Sequence, residues 1–149
     1  MQITRFSDYA LRVLIHLAFA NGERRTAKDI AAAQGVSFNH LSKAAQWLAS
    51  EGYVDAARGR TGGVVLALKP SEISLGALLR RSEGDTALVE CFRADGGACP
   101  LTSSCGLSPL LAGAQEAFFA FLDDKTLEDV LLGDGALGAL VKSLDDGAA

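Results

Sequence analysis

Residues 26–63 read TAKDIAAAQGVSFNHLSKAAQWLASEGYVDAARGRTGG. Thr26 with Asp29 three positions on is a helix start, a capping box with Asp in place of Glu. Ile30-Ala31-Ala32-Ala33 forms the helix body, and Gly35 supplies left-handed backbone for a turn. Ser37 caps a second helix running to about Ser50, whose apolar face is Leu41, Ala44, Ala45 and Leu48, entered through Val36. Gly52 stops it. Two short strands, 53–57 and 64–68, flank Arg58-Gly59-Arg60-Thr61-Gly62-Gly63, whose glycines suit a hairpin tip. Ala31 is small enough for close helix approach, Gly35 follows four residues later, and Leu41 anchors the next helix six further on. Helix, glycine turn, helix and basic hairpin at this spacing predict a winged helix-turn-helix.

Outward from that stretch, Ser7-Asp8 opens an upstream helix capped by Ser7, with Leu11, Leu14, Ile15, Ala18 and Phe19 at helical spacing and Asn21-Gly22 as its end. Downstream, Pro70 closes the second strand and Ser74 caps a short helix over about 75–81. A glycine-rich segment with three cysteines follows. Ser108-Pro109 reads as N-cap and N1 of a long helix. Its stripe is Leu107, Leu111, Ala114, Phe118, Phe121 and Leu122, widened by Leu110, Ala117 and Phe119. A short helix near 126–132 comes next, and from Gly133 the Gly/Ala/Asp-rich end reads as a poorly ordered tail. The expected fold is mainly α with a small β-hairpin. It comprises a winged helix-turn-helix over 1–81, a cysteine-rich loop over 82–106, a dimerisation helix with a short C-terminal helix over 107–132, and a tail over 133–149.

The 149 residues carry a net charge of −4, unevenly spread. Residues 1–81 hold 11 Lys/Arg against 6 Asp/Glu, and residues 82–149 hold 3 against 12. A basic half joined to an acidic half places an anion-binding face on the first. No apolar run approaches a membrane span, and the N-terminus lacks a signal peptide, so a cytoplasmic protein is expected. The helix after the turn would enter the major groove of double-stranded DNA, presenting Ser37, Phe38, Asn39, His40, Ser42 and Lys43. Asn39 suits adenine, and Lys43 suits guanine or a phosphate. Arg58 and Arg60 on the hairpin tip suit a minor groove or a phosphate. Three phenylalanines within Phe118–Phe121 exceed what one side of a small domain needs. A homodimer explains them and sets two recognition helices roughly 34 Å apart.

Cys91, Cys99 and Cys105 are the only cysteines. An odd count in a chain not expected to be exported argues for metal or redox use rather than disulfides. The gaps, C-x7-C and C-x5-C, are wider than in zinc sites, and His16 and His40 lie far off in the sequence. Zinc is therefore less favoured than an iron–sulfur cluster, for which three thiolates are one ligand short. No nucleophile–base pair, cofactor loop or second redox centre points to an enzyme.

With these residues placed, the chain resembles the Rrf-two family of bacterial winged-helix transcriptional regulators over about residues 1–132. The resemblance rests on Met1-Gln2-Ile3-Thr4-Arg5-Phe6-Ser7-Asp8-Tyr9-Ala10-Leu11-Arg12, Val36-Ser37-Phe38-Asn39-His40-Leu41, Gly52-Tyr53-Val54, the Arg58–Gly63 tip and the three cysteines. Within the family, Ser7-Asp8-Tyr9, Asn39-His40-Leu41 and Leu88-Val89-Glu90-Cys91-Phe92 resemble the branch of nitric-oxide-sensing repressors. That likeness implies a 4Fe–4S cluster held by Cys91, Cys99, Cys105 and an aspartate of the partner subunit, here Asp8. Arg12 then lies one turn on, set to bond Asp8 or to lie near the cluster. It further implies a homodimer that releases its operator when nitric oxide attacks the iron. A 2Fe–2S branch that reports cluster status uses a histidine three positions after the last cysteine, where this chain has Ser108. The long first gap, Cys99-Pro100-Leu101 and Ser104-Cys105-Gly106-Leu107 also resemble an iron-responsive branch that loses its cluster when iron is scarce. Phe38 stands where the nitric-oxide-sensing branch commonly has arginine.

Overall fold

The computed structural model describes residues 2–59, 62–84, 86–132 and 135–147. It contains two compact units, one of Thr4–Ile73 with Thr126–Ala149, the other of Met1–Ile3 with Ser74–Lys125. Among the described residues no helix is long and apolar enough to cross a membrane.

In the first unit, helix α1 spans Arg5–Phe19. Its cap is Thr4, whose Oγ1 accepts from the Ser7 N–H at 3.2 Å. Sequence placed the cap at Ser7. Ser7 instead lies inside the first turn, fully buried, with its hydroxyl 3.1 Å from that of Thr4. Two hydroxyls three residues apart both fit the cap pattern, and burial of Ser7 decides between them. Asn21 at φ +50° and Gly22 at φ +83° turn the chain out of the helix.

Helix α2, Ala27–Ala33, starts as expected, with Thr26 accepting from the Asp29 N–H at 3.1 Å and donating to its carboxylate at 2.7 Å. Gly35, at φ +62°, makes the turn into α3, Phe38–Ser50. Ser37 occupies the cap position of α3 without a side-chain bond. Ala10, Val13 and Leu14 of α1, Ile30 of α2 and Leu41, Ala44 and Leu48 of α3 are wholly buried. Alanines at two of these positions let the helix backbones approach closely.

Strands β1, Val54–Ala57, and β2, Gly63–Leu66, pair antiparallel with Val54 opposite Leu66 and Ala57 opposite Gly63. Arg25 adds a one-residue third strand, exchanging both backbone bonds with Val64 at 3.0 and 2.8 Å. Gly63 is required there, since a Cβ would sit 2.8 Å from the Arg25 carbonyl and φ is +138°. Helix α6, Leu127–Leu131, carries a Thr126/Asp129 capping box, and its buried Leu127 donates its N–H to the Ile73 carbonyl at 2.9 Å.

The segment expected to form a loose tail contains helix α7, Ala136–Gly147. Leu137, Val141 and Leu144 recur at helical spacing, and Val141 is buried. Gly138 fits against Phe19, where a Cβ would lie 2.8 Å from the ring. Near its end, Asp145 places Oδ1 3.1 Å from Nε2 of His16, which is 1% exposed, and Oδ2 3.8 Å from Arg25. Burial lowers the His16 pKa, opposed by Asp145 and aided by Arg25, so the imidazole is held toward its neutral form.

In the second unit, α4 (Leu75–Ser82) packs on α5 (Leu107–Asp123). Sequence put the start of α5 at Ser108. The cap is instead Gly106 and the first helical residue Leu107, two residues earlier, and Pro109 remains in the first turn, where a missing N–H costs nothing. Ser74 caps α4 and donates to the Asp123 carbonyl at 2.9 Å. Gly76 meets the end of α5 so closely that a Cβ would lie 2.7 Å from the Asp123 Cα. Arg80 forks onto Glu116 at 2.7 and 2.8 Å, reaches Asp123 at 2.8 Å, and stacks 5.0 Å from the Phe119 ring centre. Phe119 is the one buried residue of α5, while Leu107, Leu110, Phe118 and Phe121 face outward.

Two outcomes follow from the α4–α5 contact. Gly76→Ala should destabilise the protein by about 1–3 kcal/mol, because backbone rather than a flexible side chain must move, and a thermal melt reads it. Arg80 holds the carboxyls of Glu116 and Asp123 below their ordinary pKa. Their contribution is therefore present above the ordinary carboxylate range and is lost as pH falls through the depressed values. Arg80→Met should lower the melting temperature at pH 7 and much less at about pH 2, where both carboxyls approach protonation.

Candidate nucleic-acid interface and cysteine loop

Helix α3 turns Leu41, Ala44, Ala45 and Leu48 inward, so the opposite face is presented to solvent. Ser37, Phe38, Asn39, His40 and Lys43 are exposed there, and Ser42 is half-buried. The sequence assignment names this stretch for DNA contact, and the structure leaves it open to solvent, Ser42 less so than the others. That assignment missed Gln46, also exposed, one turn beyond Lys43 and bonded through Nε2 to Ser42 Oγ at 3.4 Å. A three-residue step from Lys43 was the available signal.

Aromatic contacts fix how α3 is held. Phe6 meets Trp47 edge-on at 5.4 Å, and Trp47 lies 6.3 Å from Tyr53. His40 stacks on Tyr9 with ring centres 6.3 Å apart and planes 22° from parallel. Arg5, Phe6, Tyr9, His40 and Lys43 line one shallow recess. His40 is therefore oriented by α1, and Arg5 adds a cation beside Lys43 that sequence reasoning did not single out.

At the wing, Arg58 is exposed. Arg60, with Thr61, lies outside the described residues. Arg24 was missed, since its partners are 31 and 39 positions away. Its Nη1 donates to the carbonyls of Asp55 on β1 and Gly63 on β2, at 3.0 and 3.2 Å. Both strands of the hairpin are thereby tied to the segment preceding α2. The tip is tight, as a Cβ on Gly62 would meet the Ala57 and Gly59 carbonyls at 2.8 Å.

The three cysteines are unpaired and half-buried. Cys91 lies in a 3-10 turn, Glu90–Phe92, with Sγ 4.0 Å from Ser108 Oγ, and Cys105 follows a second turn, Thr102–Ser104. Between Cys91 and Cys99 the chain closes on itself. Asp95 accepts from Arg93 at 2.7 and 3.0 Å and from the Gly97 N–H at 3.0 Å, and these bonds depress its pKa. Glu90 Oε1 accepts from the Ala98 N–H at 3.1 Å, joining the residues that precede Cys91 and Cys99. Gly97 permits the closure, with φ +61° and only 2.7 Å between a notional Cβ and Glu90 Cγ.

Three free thiols on one loop, with no disulfide, suit a soft metal or an iron–sulfur cluster as a donor set. Among the described residues, however, no three His, Cys, Asp or Glu side chains are gathered tightly enough to hold a metal ion. Asp8, half-buried on α1, accepts from Arg12 Nε at 3.0 Å, the bond that the sequence allowed for Arg12. His16 is enclosed beside Asp145, and His40 is stacked on Tyr9.

The Glu90–Ala98 clasp has a direct check. In a Cys105→Ser background, dibromobimane should bridge Cys91 and Cys99 several-fold faster in the otherwise native loop than with Gly97→Val or Glu90→Ala. Fluorescence of the bridged product reports the difference.

The profile of the Rrf2 (Rrf-two) family, described as an iron-dependent transcriptional regulator, matches residues 3–132. A transcriptional regulator named NsrR from Geobacillus kaustophilus is 46% identical over 143 residues, 95% of this chain and 97% of that protein. The transcriptional repressor NsrR of Streptomyces coelicolor is 38% identical over 133 residues, covering 88% of each. Among solved structures, CymR, the global cysteine regulator of Bacillus subtilis, superposes with a TM-score of 0.65 at 30% identity, covering 87% of this chain and 95% of CymR. A winged helix-turn-helix carrying a three-cysteine loop and a long apolar helix, matched over most of its length by such relatives, belongs to the Rrf2 family of transcriptional regulators.

Proposed function

We propose that this chain is a DNA-binding transcriptional repressor, a homodimer whose operator affinity depends on an iron–sulfur cluster and falls in response to nitric oxide. The observation that carries the reading is the 46% identity to an NsrR regulator across 95% of the chain, together with the unpaired Cys91, Cys99 and Cys105. Those three thiols, with Asp8 of the partner subunit, would hold a 4Fe–4S cluster. Iron bound there would supply a nitric-oxide-reactive centre.

The chain's own residues account for the rest. Ser37, Asn39, His40, Ser42 and Lys43 meet the major groove, with Arg58 and Arg60 on the wing against a minor groove or a phosphate. The outward Leu107, Leu110, Phe118 and Phe121 of α5 pair with the same face of a second copy. Asp8 and Arg12 form a partly exposed i,i+4 pair, a class worth no more than about 1 kcal/mol. The Asp8 carboxylate can therefore exchange Arg12 for a metal at little cost. A hundredfold change in operator affinity needs about 2.7 kcal/mol of coupling, within the usual range.

A second reading, an iron-responsive repressor, is favoured by one observation, the family's description as iron-dependent. Anaerobic operator binding separates the two. Nitric oxide should weaken binding by the holo-protein about a hundredfold, and Asp8→Ala should weaken the holo-cluster or blunt its response. An unchanged affinity under nitric oxide would sink the first reading, and loss of binding on iron chelation alone would favour the second.

A further inference from the structure

We propose that Phe38 reads the 5-methyl group of a thymine in the major groove. The inference rests on the operator-binding reading above and adds a specificity-determining residue to it. Phe38 is the first residue of α3, and it stays 50% exposed. The core does not need it, because Leu41, Ala44 and Leu48 already fill the inward face. A phenyl ring left in water at the leading end of this helix has an unmet driving force for burial.

The ring's surroundings select its partner. Ser37, Asn39, His40 and Lys43, close to it in the chain, are exposed and polar, and Lys43 adds a positive charge, so this stretch matches a polyanion rather than an apolar protein face. The first residues of a recognition helix reach base edges. On those edges, across all four base pairs, the thymine methyl is the one apolar group. A phenyl ring offers no donor or acceptor, so against guanine, cytosine or adenine it would strip water from polar atoms and return nothing. Asn39 lies 100° further round the helix, and its amide suits the N6/N7 edge of adenine. Phe38 and Asn39 therefore address neighbouring positions with different chemistries, one apolar and one polar.

The test uses full-length, anaerobically prepared holo-protein and a duplex selected by it from a random pool. Each thymine of that duplex is replaced singly by deoxyuridine, which removes only the methyl. The wild type should lose about fourfold in affinity at one position per half-site, the fold-change of one buried methyl. Phe38→Ala should bind thymine and uracil equally at that position and keep any methyl effect elsewhere. Phe38→Leu, still apolar, should retain a thymine preference. A full methyl effect in Phe38→Ala, or none anywhere in the wild type, overturns the assignment. DNA bending by the wild type without methyl dependence also overturns it, in favour of a wedge between bases. A pool that yields no preferred sequence fails the operator-binding reading itself, and the inference falls with it.

Discussion

Everything that α3 can present to a partner is held by its seam with α1. Ala10, Val13 and Leu14 on one side and Leu41, Ala44 and Leu48 on the other are wholly excluded from water. Phe6, Trp47 and Tyr53 extend the seam as a chain of ring contacts. Burial on this scale, at roughly 25 cal/mol per Å² of apolar surface, is non-directional, so it brings the helices together without fixing their rotation. Rotation is fixed by shape: alanines at the crossing admit only close approach, and the Tyr9–His40 stack occupies the flank. The exposed face of α3 is thus aimed by the buried seam with α1 and by the stack of His40 on Tyr9.

Much of this was legible because it is local. Thr26 and Asp29 are three residues apart and bond as that spacing implies. Gly35, Gly52 and Gly59 have the positive φ that their turns require. Where two local solutions competed, sequence could not choose: Thr4 and Ser7 are both hydroxyls near a helix start, and the burial of Ser7 is a tertiary fact. The last helix, α7, was hidden by Gly and Asp, whose low helix propensities mask a short apolar repeat at Leu137, Val141 and Leu144. Arg24 was hidden differently. Its bonds to Asp55 and Gly63 join residues that only the folded chain brings together.

The cysteine loop divides in the same way. Three thiols in one polar stretch make a candidate donor set that sequence alone can single out. That Glu90 and Ala98 close the long first gap, with Gly96 and Gly97 in the left-handed region, could be learned only from the structure. The proposed fourth ligand is a different matter, because a carboxylate supplied by another subunit would leave no mark in the spacing of one chain. Asp8 entered through family resemblance, and its pairing with Arg12 shows a carboxylate held by an interaction weak enough to be exchanged.

The order of the two units along the chain bears on how the protein is made. The unit containing α1, α2 and α3 is interrupted at Ile73 and resumes at Thr126. Leu127 donates to Ile73 across that break, and Leu75 donates to the Lys125 carbonyl just inside it. The first unit is also closed at its far end, where Asp145 of α7 meets His16 of α1 and Arg25. A ribosome that has delivered α1, α2 and α3 has not yet delivered α6 and α7, which complete their packing. The nascent chain must emit the whole of residues 74–125, cysteines included, before the first unit can finish folding.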